Sequence, residues 1–148
     1  MRLFLATCAS AMIFSAGELS AQANGGGKST NDGVYTREQA LRGQDVYAGN
    51  CKSCHTPESH TGPVFTAKWN GKPLLELYAY VRDLMPKNDP GTLSPEEYAD
   101  VLAYMLRMNK LPVGDVDLPS DTTALKRIRF QVGNPKQSRE KDDSRIQE

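Results

Sequence analysis

The stretch Cys51-Lys52-Ser53-Cys54-His55 decides how this chain reads. Two cysteines three residues apart, followed at once by a histidine, make the attachment signature for a covalently bound haem. The spacing carries the chemistry. Thiols at i and i+3 lie on one helical face, where they can meet the two vinyl groups of a single haem. The adjoining histidine can then turn a ring nitrogen to the iron as its proximal ligand. Two other chemistries use the same cysteine pair. A thioredoxin-like redox pair asks for a βαβ setting, and a zinc site asks for a second pair of Cys or His ligands. The sequence offers neither.

Upstream, residues 1–23 read as a secretory signal peptide. Arg2 opens it, Leu3 to Ala16 is a mostly apolar run, and Ala21-Gln22-Ala23 fits a small-x-small cleavage site, with the cut after about Ala23. Thr7, Cys8 and Ser10 interrupt the run, which falls short of the roughly 20 apolar residues that a membrane anchor needs. The expected localisation is therefore periplasmic, with no stable membrane insertion after cleavage. Of three cysteines, Cys8 would leave with the signal, so the mature chain keeps Cys51 and Cys54 and no structural disulfide. A covalent haem would supply core volume and a cross-link in its place. Lys+Arg and Asp+Glu number 18 each, and nothing in this balance resembles the basic footprint of a nucleic-acid-binding domain.

Residues 24–34, rich in glycine, read as a flexible leader. Thr36-Arg37-Glu38-Gln39 is a capping box that starts a helix running to about Tyr47 or Ala48. Gly43 inside it costs about 1 kcal/mol against alanine, a cost that close approach of another helix would justify. No periodicity organises 57–68, where Gly62-Pro63 reads as a turn. A second helix takes its cap from Asn70-Gly71 and Pro73, with Leu74, Leu77, Tyr78 and Val81 on one face. It ends at Leu84-Met85-Pro86, because proline holds the residue before it extended. Ser94-Pro95-Glu96-Glu97 opens a third helix with an N-cap, a proline at N1 and a capping-box glutamate. Its apolar face is Tyr98, Val101, Leu102, Met105 and Met108, with Tyr104 alongside. No segment alternates as a strand would, so the fold class is all-α, with about three main helices around the haem. Residues 114–130 form a polar extension that could pack on the domain, Asp121 capping a short helix with Leu125 and Ile128. Residues 131–148 are too polar to bury and read as a disordered tail. Lys126, Arg127, Arg129, Lys136 and Arg139 form a positive run with no acid among them, either a solvated face or a steering arm for a redox partner.

The iron keeps one position opposite His55. A thioether suits an electron carrier because it raises the potential. Met85 is the candidate, since it lies in a loop and serves no helix face. Met105 and Met108 fit the third helix's core pattern. His60 stands too near His55 in sequence to reach the opposite side of the haem and reads as a surface histidine.

These motifs together resemble the class I, monohaem cytochromes c, over 35–113. Gly43 and Tyr47 resemble that family's Gly-x-x-x-aromatic, which crosses the last helix near Tyr104. The resemblance implies that the Pro63 carbonyl accepts the His55 ring N–H and that Trp69 lies by a haem propionate. It implies one haem c held by Cys51, Cys54, His55, Pro63, Trp69 and Met85, with His55 and Met85 on the metal and no catalytic residues. Trp69-Asn70-Gly71-Lys72, Met85-Pro86 and Glu97-Tyr98-x-Asp100-Val101-x-Ala103-Tyr104 are also similar to cytochrome c subunits or partners of periplasmic quinoprotein dehydrogenases. The expected function is an electron carrier and not an enzyme, passing single electrons from such a dehydrogenase to a downstream cytochrome or oxidase. The alternatives are a haem enzyme or gas sensor with an open iron position, or an obligate subunit of a quinoprotein dehydrogenase.

Overall fold

The computed structural model describes residues 27–133, and at three of its five α-helices the residue before the first turn takes up an orphan backbone donor with its side chain. Helix α1 is Arg37–Asn50, and the Thr36 hydroxyl accepts from the Gln39 N–H. Helix α2 is Gly62–Trp69. Helix α3 is Leu74–Leu84, and α4 is Pro95–Met108 with the full Ser94–Glu97 capping box formed. Helix α5 is Thr122–Lys126, capped by Asp121 on the Ala124 N–H at 2.8 Å. Two 3₁₀ turns, Thr30–Asp32 and Pro57–His60, complete the set. Among the described residues there is no strand, only isolated bridges that Arg129 makes with Ser29 and Pro73.

The core forms where α1 crosses α4. Gly43 faces the Asp100 carbonyl there, and a Cβ on residue 43 would collide with it. Four residues on, the Tyr47 and Tyr104 rings meet at 5.3 Å between centroids. Arg42 binds Asp100 at 3.0 Å and Asp117 at 2.7 Å, tying both helices to the extension. Helix α3 buries Leu74, Leu77, Tyr78 and Val81, the stripe its sequence spacing predicts.

Several expectations are corrected. Gly62-Pro63, read as a turn within a stretch without periodicity, instead opens a helix over 62–69: Gly-Pro is the helix entry, with Pro63 in the first turn, and Phe65 and Trp69 at i and i+4 are buried. The N-cap of α3 is Pro73 itself rather than Asn70 or Gly71. Gln39 does not close the box on Thr36. Its amide instead donates to the Leu118 carbonyl at 2.9 Å and accepts from the Leu118 N–H at 2.6 Å. The stretch expected as a flexible leader is held from Lys28 on. Ser29 and Thr30 are buried, the Arg129 N–H reaches the Lys28 carbonyl at 2.8 Å, and the Thr30 N–H reaches the Arg129 carbonyl at 2.9 Å.

The extension completes the core. Leu118, Leu125, Ile128 and Phe130 are all buried. Residues 128–130 also lie along the loop into α3: Leu74 N–H donates to Ile128 at 2.7 Å, and Gly71 N–H to Phe130 at 2.8 Å. Residues 28–30 and the extension thus brace the segment that carries Trp69. The signal-peptide reading (1–23) and most of the tail reading (from 134 on) lie outside the described residues. No described helix is long and apolar enough to cross a membrane.

Candidate haem site

The cysteine motif begins as α1 ends. Cys51 is the C-cap of α1, its N–H still bonded to the Tyr47 carbonyl at 2.9 Å. Its own carbonyl then takes the N–H groups of Cys54 (3.1 Å) and His55 (2.9 Å). The motif is therefore a tight turn rather than part of the helix, and it presents both thiols and the imidazole to one side. Cys51 is half-buried and Cys54 exposed, and both are free thiols. Burial pushes the Cys51 thiol above its ordinary pKa.

That side opens on a cavity of about 930 Å³. Cys51, Cys54 and His55 line it from the α1 end, and Met85, Pro86 and Lys87 from the loop after α3. Phe65 and Trp69 of α2 and Leu77 and Val81 of α3 make its apolar walls. Met85 caps the C-terminus of α3 in extended backbone, as the following proline requires. Its carbonyl accepts the Tyr98 hydroxyl at 2.9 Å. Sequence reading missed that anchor, because Tyr98 has the spacing of a plain core residue.

Met105 lines the cavity too and is buried. Its position differs from that of Met85. The Asn109 amide donates both to the Met105 carbonyl at 2.8 Å and to the His60 carbonyl at 2.9 Å, which ties the last turn of α4 to the 3₁₀ turn that ends at His60. Trp69 is buried in the wall, with Lys68 Nζ 4.8 Å from its ring centroid and 4.0 Å from that of Tyr80. Pro63 is not in the cavity wall, and no hydrogen bond joins it to the His55 ring among the described residues. His60 corrects the sequence reading outright. It is half-buried in the wall, 4.9 Å from His55 between ring centroids, with Nε2 unpartnered. Desolvation, then the neighbouring His55, push its pKa down to about 4.

The residues present fit a covalent haem. The cavity offers two thiols, an imidazole and a thioether inside largely apolar walls. Lys68 and Lys87 are its only lining lysine, arginine or acidic residues, and two cations suit a group bearing two propionates. The donor set does not fit a zinc site. Among the described residues no group of three or more His, Cys, Asp or Glu is placed to hold a metal ion.

Residues 38–105 match the family model described as cytochrome C oxidase, cbb3-type, subunit III. No curated protein and no solved structure shows a match. The matched stretch runs from α1 into α4 and contains Cys51, Cys54, His55 and Met85, and together with the all-helical fold it supports a class I cytochrome c domain that binds haem.

Proposed function

We propose that this chain is a periplasmic monohaem cytochrome c that carries single electrons, with His55 and Met85 as axial ligands. One observation carries the reading: both thiols of the motif, His55 and Met85 line a single apolar cavity. The haem, when attached, supplies the one-electron couple. Cys51 and Cys54 would anchor it through thioethers, and His55 would be held beside the iron by the same turn. Met85 offers a thioether, a ligand that favours the reduced state. Phe65, Leu77, Val81 and Trp69 keep water from the wall, while exposed Cys54 and Val64 leave one edge open to a redox partner. Small, transient contacts at such an edge suit electron exchange.

The donor we propose is a periplasmic quinoprotein dehydrogenase and the acceptor a downstream cytochrome or oxidase, with export directed by residues 1–23. A permanent place in a redox complex is the second reading, favoured by the matching family, whose description is that of an oxidase subunit. Haem retention on a denaturing gel tests covalent attachment. The wild type should keep haem, and Cys51→Ala or Cys54→Ala should weaken retention. Complete loss from the wild type would reject the proposal. Size exclusion of the protein from its native host separates a free carrier from a subunit.

A further inference from the structure

The cavity wall contains one polar atom that this function does not yet use. His60 Nε2 is buried and has no hydrogen-bond partner. Buried polar atoms are rarely left so, and an unpaired one marks either a missing ligand or a role. The His60 ring is caged on two sides by edge contacts, with Tyr47 at 5.6 Å and with Phe65 at 6.1 Å between centroids. Its other ring neighbour is His55, at 4.9 Å and with the planes 46° apart. Two imidazoles joined by one N–H···N bond of about 2.9 Å have centroids about 5 Å apart, and the separation of these two rings matches that.

The backbone holds His60 at that spot. The 3₁₀ turn Pro57–His60 folds the chain back beside the cysteine turn, and Asn109 at the end of α4 clamps the His60 carbonyl at 2.9 Å. A histidine with one nitrogen on a metal carries its proton on the other, and that N–H takes an acceptor that sets the ring's orientation. The wall has no carboxylate to serve, and Pro63, which the family resemblance puts in this role, lies outside it.

We propose that His60 Nε2 accepts the ring N–H of His55 and so orients the proximal ligand. His60 is a positioning residue, and its role rests on the reading of His55 as an iron ligand. An accepted hydrogen bond makes the imidazole a stronger donor to the metal and holds the potential down.

The test is made on the holoprotein. Nitrogen-15 NMR of the wild type should show His60 Nε2 unprotonated and coupled to the His55 ring N–H. His60→Leu should shift the reduction potential upward, and His60→Gln, whose amide oxygen still accepts, should bring it back towards the wild type. An unshifted His60→Leu, or a protonated Nε2 in the wild-type spectrum, overturns the role of His60. Should the leucine variant fail to mature, the wild-type spectrum decides alone. Wild-type protein that keeps no haem on a denaturing gel would instead overturn the haem reading and this one with it, an outcome distinct from a haem-bearing protein with an unshifted variant.

Discussion

Tyr98, in the first turn of α4, donates its hydroxyl to the Met85 carbonyl across 2.9 Å, so the candidate sixth ligand hangs from the helix that packs on α1. Tyr98 is buried in the core, and its hydroxyl makes the hydrogen bond to the loop. Tyr98→Phe should therefore keep the packing and lose the tether. We expect covalent haem to be retained, stability to fall by about 1 kcal/mol, and the weak far-red band of thioether-ligated ferric haem to fade at lower temperature than in the wild type. Urea melts and absorption spectra of the two proteins check this, and an unchanged far-red band would leave the tether without a role in ligation.

The two cavity methionines should separate cleanly. Met85→Ala should leave haem attached, lower the reduction potential and open the iron to small ligands such as imidazole. Met105→Ala should leave the iron spectrum largely unchanged and cost about 2–5 kcal/mol of stability, since it hollows the buried face of α4. An exchange of these two behaviours would mean that Met105 is the ligand.

The extension must be cut with care. Truncation after Pro119, natural from sequence as a way to remove a polar tail, would delete Leu125, Ile128 and Phe130 from the core and unbrace the loop before α3. We expect that variant to lose cooperative unfolding, whereas truncation after Gly133 should keep the wild-type denaturation midpoint. The positive run also divides. Arg129 donates to the Gly71 carbonyl at 2.9 Å and serves structure, while Lys126 and Arg127 are exposed on the folded extension. Reversing both, Lys126→Glu with Arg127→Glu, should slow electron exchange with the native partner at low salt and change little at high salt. Equal stopped-flow rates at low salt would remove the extension from docking.

Acid should weaken the joint between α1, α4 and the extension. The Thr36 hydroxyl, then the Arg42 guanidinium, hold the Asp117 carboxyl below its ordinary pKa. A depressed folded-state pKa means that the unfolded chain takes up the proton first as pH falls. The stabilisation is thus complete above the ordinary aspartate range, near pH 5 and higher, and is lost as pH drops through the folded-state value. Because Asp117 is half exposed, its share is modest. Asp117→Asn should flatten the acid limb of a stability–pH curve and lower stability at neutral pH, as measured by urea midpoints between pH 3 and pH 7.

Much of the fold was local and so legible. The Ser94 cap, the α3 stripe and the extended Met85 before its proline follow from neighbours a few residues apart, and all three stand as the sequence predicts. The cysteine turn is equally local, because one helical turn's worth of backbone suffices to bring Cys51, Cys54 and His55 to one side. Gly43 announced a close approach, although only the fold shows that the Asp100 carbonyl makes it.

What the tertiary structure decided is whatever depends on partners far along the chain. Gln39 abandons its cap for Leu118 because a buried amide gains two hydrogen bonds there. The leader is held because residues 129–131 lie beside it, a pairing across a hundred residues that no periodicity encodes. Helix α2 escaped notice since its apolar pair, Phe65 and Trp69, is too short a pattern to stand out until Phe130 packs at 5.8 Å against Phe65. His60 shows the same rule at the site. Its distance from His55 in sequence excludes it from the opposite side of a haem, but its burial beside His55 depends on Tyr47, Phe65 and Asn109, and only folding brings those three together.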